Sequence, residues 1–232
     1  MPVKLLNNFK LQISVDMILR GQGADPAVIY TRHPQLANIA EVALRKGLPL
    51  LAPLAVIRCM SVTSVRHQRV ELEQGGVLIG ELPAQKLAAA RQVWVALCTI
   101  GAALERYAGE VYRHDPSLGL ALDALGNVAV ETLATEVCHR ITDEAQALGY
   151  QTTFPLSPGL VGWELGSGQR QIFDLLKPDP MLIRLEPSGQ MIPLKSTSLV
   201  VGCGEDVDHA NNTCDYCAVR FTCRYQPLLN LL

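Results

Sequence analysis

The sequence predicts an α+β protein in which long helices pack across an antiparallel sheet and a cysteine-rich tail follows. Three observations carry that expectation. The residues Leu122, Leu125, Ala129, Leu133, Val137, Ile141 and Leu148 keep a helical period through one long segment. Strand-like runs over 181–185 and 198–201 lie on either side of the turn Pro187-Ser-Gly189. Of the seven cysteines, Cys203, Cys214, Cys217 and Cys223 crowd the C-terminal end.

Taken in order, Leu11-Gln-Ile-Ser-Val15 alternates as a strand does, and Ile18 and Leu19 suggest a helical turn before Gly21-Gln-Gly23. Residues 34–46 read as a helix with Leu36, Ile39, Val42 and Ala43 on one stripe and Gly47 as its stop. The apolar run over 47–57 is broken by Pro49 and Pro53 and reads as a buried segment. Residues 66–70 and 77–79 flank Gly75-Gly76 as a hairpin would. Pro83 opens a predicted helix to Tyr112, with Leu87, Val93, Val95, Leu97 and Leu104 on its apolar side and a break near Gly101. A second long helix starts past Asp115-Pro116-Ser117 and ends at Ala147, before Gly149. Phe154-Pro-Leu-Ser-Pro-Gly159 cannot be helical and reads as a rigid loop ending in a turn. A short helix over 169–176 precedes Pro178.

Composition narrows the function classes. The chain has 232 residues, a formal charge of −2 and 49% apolar content. Its pI is 6.2 and its mean hydropathy is +0.18. No basic face points to nucleic acid, and no uninterrupted apolar run approaches the ~18 residues of a membrane span. Met1-Pro-Val-Lys-Leu-Leu-Asn-Asn-Phe9 lacks the apolar core of a signal peptide, so a cytoplasmic, reducing compartment is expected. The five histidines, His33, His67, His114, His139 and His209, form no motif with Ser or Cys, and no phosphate-loop or dinucleotide fingerprint occurs. Cys59, Cys98 and Cys138 stand singly among apolar neighbours and read as inert core thiols.

The tail reads differently. Cys214-Asp-Tyr-Cys217 is a C-x-x-C pair followed by Cys223, and a two-residue gap lets one turn aim both sulfurs at one point. With Cys203 as fourth ligand, or His209 in its place, residues 204–232 are expected to hold an Fe–S cluster or zinc. A disulfide staple is the bland alternative, and it needs an oxidising compartment. A lone third cysteine after one C-x-x-C suits a cluster better than zinc, which favours paired knuckles.

From Cys98 onward a succession of short words carries a resemblance. Thr99-Ile-Gly101, Leu122-Asp-Ala-Leu-Gly126, Ala129-Val-Glu131, Ser157-Pro-Gly159, Gln169-x-x-Ile-Phe173 and Met191-Ile-Pro-Leu-Lys-Ser196 follow one another in that order. The succession resembles the activation domain of vitamin B12-dependent methionine synthase, over 77–203. That resemblance implies a single curved α+β unit over 1–203 and a groove for S-adenosylmethionine. It also implies a cobalamin-bearing methyltransferase or corrinoid protein as partner. In the family, an electron donor reduces inactive Co(II), and S-adenosylmethionine then methylates the Co(I).

Carried over residue by residue, the resemblance makes Ser157, Pro158 and Gly159 part of the ligand loop. Glu131 would be the acidic group near the ligand's positive charge, beside the plain reading of a solvated helix glutamate. Lys195 and Ser196 match a motif read as structural. The family's loop usually reads Arg-x-x-Pro-Gly-Tyr, and here Pro155 and Leu160 replace the arginine and tyrosine. Neither can donate a side-chain hydrogen bond to a carboxylate, so S-adenosylmethionine is expected to bind weakly unless Arg170 or Arg184 substitutes. Two functions follow. One is an accessory protein for reductive activation or repair, with an Fe–S centre delivering the electron. The other is a non-catalytic corrinoid-protein-binding module with structural zinc and a vestigial groove.

Overall fold

A chain with 49% apolar content has enough apolar side chains to bury some elements on both sides, and this one does so with a sheet held between two cores. The computed structural model describes residues 1–208, 212–218 and 220–222. The elements are β1 (Lys4–Leu6), α1 (Val15–Gly21), α2 (Pro26–Arg32), α3 (Pro34–Gly47), β2 (Leu54–Arg66), β3 (Arg69–Leu72), β4 (Val77–Ile79) and α4 (Glu81–Lys86). They continue with β5 (Gln92–Thr99), α5 (Ala103–Tyr112), α6 (Pro116–Gln146), β6 (Gln151–Thr152), α7 (Leu165–Leu176), β7 (Arg184–Leu185), β8 (Met191–Ile192) and β9 (Ser196–Gly204). A short 3-10 turn, Thr213–Tyr216, carries the first tail cysteine.

The sheet runs β4-β3-β2-β5-β9-β6, with β1 paired to the first half of β2, and every pairing is antiparallel. It is curled as a half-barrel. A register shift between Val62 and Ser64 in β2 marks where the strand leaves β5 and takes up β3, and such an irregularity bends a strand. The expected antiparallel α+β fold is therefore present, and its sheet also draws on strands from the first eighty residues. β7 and β8 form a separate hairpin around the predicted Pro187-Ser-Gly189 turn.

One expectation fails in an instructive way. The helix predicted over 83–112 is three elements, α4, β5 and α5, with β5 at the centre of the sheet. Its side chains alternate between the two cores: Trp94, Ala96 and Cys98 face one, and Val93, Val95 and Leu97 the other. A strand buried on both faces has no polar alternation to announce it, so its run of apolar residues mimics a buried helix. The strand expected at 11–15 is also absent. Ser14 caps α1 instead, its Oγ accepting from Met17 N at 3.3 Å.

The other helices stand. The predicted 34–46 helix is α3, the predicted helix ending at Ala147 is α6, and 169–176 lies within α7. Asp115 caps α6 by accepting from Leu118 N at 3.0 Å, ahead of Pro116 in the first turn. α6 is buried nearly all round, because α1, α3 and α5 cover the sides that the sheet does not. Its length and apolarity would suit a membrane span, and burial inside the protein accounts for them. Leu133 has no exposed surface, whereas Leu148 lies past the helix end and is exposed.

Several of the short words meet in space. The Lys195 ammonium reaches Asp123 and Asn127, each at 2.7 Å, and its stem crosses α6 where Gly126 has no side chain. A Cβ at Gly126 would lie 3.1 Å from Lys195 Cε. Ser196 Oγ donates to Pro193 O at 2.6 Å and contacts Thr99 Oγ1 at 2.9 Å, and that same oxygen accepts from Gly101 N. These residues join α6 to the start of β9 and the end of β5.

Candidate functional site

Past α6 the chain returns along the free edge of β9. β6 pairs with Cys203 and Gly204, then Thr153 N donates to Gly202 O, and Leu156 exchanges two hydrogen bonds of 2.8 Å with Val200. This tethering gives 153–157 the two-residue alternation of a strand. Leu156 enters the core under α7, while Pro155 and Ser157 face α6. Between that segment, α6 and β9 lies a groove of about 720 Å³, inside the range of small-molecule sites. Thr197 and Leu199 form its floor, and Asn127, Glu131 and Cys138 line the α6 wall.

Of the residues expected to bind a ligand, Glu131 and Ser157 meet in this groove. Pro158 and Gly159 turn away from it. Gly159, at φ +98°, makes the turn a glycine permits, its N–H donating to Trp163 O at 2.9 Å. It borders a second, more open depression with Leu160, Gly80 and Ser167. Pro158 packs against α7 at Gly168, where an added Cβ would lie 2.9 Å from it.

Glu131 is exposed to the groove but ringed by protein, and the resulting desolvation raises its carboxyl above the ordinary glutamate range. Cys138, two turns further along α6, has its thiol pushed up to about 12 by burial and by Glu131. Cys98 lies beneath in β5 and is driven higher by burial, then by Cys138 and Glu131. Burial also holds Cys59 at about 11 and Cys203 at about 12. Thiols this weak in acidity stay protonated at neutral pH and are not nucleophiles.

Among the described residues, no arginine or lysine lines the groove. Arg184 pairs with Glu186 at 2.9 Å on the β7–β8 hairpin, and Arg170 lies beside Glu164 and Gly166 at the start of α7. Neither takes the place of the missing guanidinium.

The cysteine motif reaches the same groove. Asn212, Thr213 and Cys214 close one end of it, and Thr213 Oγ1 donates to Pro155 O at 3.2 Å. Tyr216 stacks on Phe154 at 5.2 Å between ring centroids, and its carbonyl accepts from Val161 N. Cys203 does not join this end: it sits in β9 with no exposed surface, in the core under α6. Among the described residues, no group of three or more His, Cys, Asp and Glu side chains is placed to hold a metal. Cys223 and His209 lie outside the described residues.

Two participants were not among the residues expected to bind a ligand. Asn127 and Cys138 on α6 are brought to the groove only because 153–157 lies across that helix. Spacing from Glu131 could have flagged them, since residues four and seven apart share a helix face.

No protein-family model and no curated protein matches this sequence. Among solved structures, one described as the MetH reactivation domain bound to AdoHcy superposes with a TM-score of 0.66. It is 15% identical and covers 98% of this chain and 86% of its own. At that identity the likeness establishes the fold.

Proposed function

We propose that this chain is an accessory protein for the reductive activation or repair of a cobalamin-dependent methyltransferase, with an S-adenosyl ligand held between α6 and 153–157. The observation that carries the reading is the meeting of Glu131 and Ser157 in one groove. The fold around them is shared over nearly the whole chain with a reactivation domain that binds AdoHcy. The apolar floor suits a flat base, and Ser157 and Asn127 supply hydrogen-bonding groups at its edges. Glu131 is the only carboxylate among the described lining residues and would favour a ligand with positive charge. With no guanidinium among its described lining residues, the groove leaves a ligand carboxylate to solvent, so S-adenosylmethionine should bind at least about a hundredfold more weakly than in a site with an arginine.

Electron delivery belongs to the same proposal. Cys214 stands at the groove's end and, with Cys217 and Cys223, would hold one inorganic centre whose chemistry is single-electron transfer from an external donor. The fourth ligand expected from the sequence, Cys203, would join only by leaving the core. A second reading is supported by the lack of an arginine or lysine among the described lining residues: a corrinoid-protein-binding module with structural zinc and a vestigial groove.

Anaerobic purification with iron, sulfide and zinc analysis, followed by calorimetric titration with S-adenosylhomocysteine and S-adenosylmethionine, separates the two. Iron and sulfide with measurable ligand heat support activation. Zinc without ligand heat supports the binding module. Full iron and sulfide content in Cys217→Ser would remove the tail from the site.

A further inference from the structure

Lys86, the last residue of α4, has a side chain only 6% exposed, yet it does not touch the groove. Its ammonium donates to Asp208 Oδ2 at 2.8 Å, and it lies 5.1 Å from the centre of the Tyr216 ring and 5.9 Å from that of Phe154. Burial alone would lower its pKa, but hydrogen bonds to Asp208 and Tyr216 outweigh that and leave it raised. A buried ammonium is tolerated only with such partners. All of them belong either to the groove's rim (Phe154) or to the segment that follows β9 (Asp208 and Tyr216).

The turn that Lys86 contacts through Tyr216 is closed on itself. Asn212 and Asp215 cap each other reciprocally, Asn212 Oδ1 accepting from Asp215 N at 3.3 Å and Asp215 Oδ2 from Asn212 N at 3.2 Å. Whatever fixes Tyr216 therefore also fixes Asn212, Thr213 and Cys214, which close the groove. Opposite them, Phe154 and Pro155 are held by the Tyr216 stack and by the Thr213 hydrogen bond.

We infer that Lys86 is a positioning residue: it docks the cysteine-bearing turn as a wall of the groove, and groove affinity depends on it although it lies outside. The affinity part rests on the ligand reading above, and the docking part does not.

The test compares the full-length protein with Lys86→Met and Tyr216→Leu. Amide hydrogen exchange should quicken in both variants over 153–161 and 212–218 and stay unchanged in β5 and α6. Titration with S-adenosylhomocysteine should show at least about tenfold weaker binding in each variant. The double variant should be no weaker than either single one, because both act through one docked unit. Unchanged exchange over 153–161 overturns the docking, and equal affinity with faster exchange overturns the positioning role. If the unaltered protein binds no S-adenosylhomocysteine, the ligand reading fails and the exchange result alone decides the docking.

Discussion

The cysteines divide the molecule into two regions built on opposite principles. In the body, Cys59, Cys98 and Cys203 are buried strand residues whose sulfurs fill space between β2, β5, β9 and α6. In the tail, Cys214 and Cys217 are only partly buried, on a short turn held by a few polar and aromatic contacts. The body draws its stability from apolar area, which is non-directional and distributed over many residues. Among the described residues, the tail draws its position from the Lys86 ammonium, the Phe154–Tyr216 stack and hydrogen bonds such as those from Thr213 Oγ1 to Pro155 O and from Val161 N to Tyr216 O, so single substitutions should displace it without unfolding the body. The two regions meet in the groove.

The sharpest way to break that contrast is to damage each region and compare unfolding. Leu133→Ala should cost about 2–5 kcal/mol in a denaturant titration, since its side chain is wholly buried on α6. Tyr216→Ala should cost less, about 1–2 kcal/mol, from the lost ring stack and cation contact. If the tail variant proved the more damaging, the division between body and tail would be wrong.

Alkaline titration sharpens the same contrast from the side of the body. The buried thiols of Cys138 and Cys203 have folded-state values near 12, against an ordinary 9.0, so the folded state holds their protons more tightly than the unfolded state. Stability should be fully present below pH 9 and fall as pH rises from about 9 towards 12. Equilibrium unfolding of Cys203→Ala should show a shallower alkaline decline, and an unchanged slope would remove its thiol from the effect.

Glu131 should give a smaller effect of the same sign at lower pH. Its raised carboxyl means that stability declines as pH climbs from the ordinary glutamate range through the folded value. Glu131→Gln should flatten that decline, and in titrations it should weaken S-adenosylmethionine more than S-adenosylhomocysteine, because only the former is a sulfonium cation. Equal losses would remove charge recognition from Glu131.

The smallest effect is expected at Glu164. Its carboxylate caps α7 through the Gly166 and Ser167 amides, and hydrogen bonds to Ser167 lead the causes that lower its pKa from 4.5 to about 2. The cap is fully present above pH 4.5 and is lost as pH falls towards 2. Amide exchange at 165–168 should therefore quicken over that range, and Glu164→Ala should abolish the pH dependence.

Much of the architecture was legible in the chain itself. Helical periods and proline stops located α3, α6 and α7, and the glycine and proline turns located the β3–β4 hairpin and the bend after β7, although the strand expected at 198–201 beyond that bend belongs to β9 and the partner of β7 is Met191–Ile192. These are local signals, because capping, turn chemistry and side-chain period act within a few residues. β5 was illegible for the opposite reason: its identity depends on being covered from both sides by distant segments. The site divides in the same way. Glu131 and Ser157 could be named from their words, but their meeting in one groove needed 153–157 to be tethered along β9. Lys86 carried no signal, since a lysine ending a short helix normally points into water. Only the packing of Phe154, Asp208 and Tyr216 around it made burial of that charge affordable, and with it the docking of the tail.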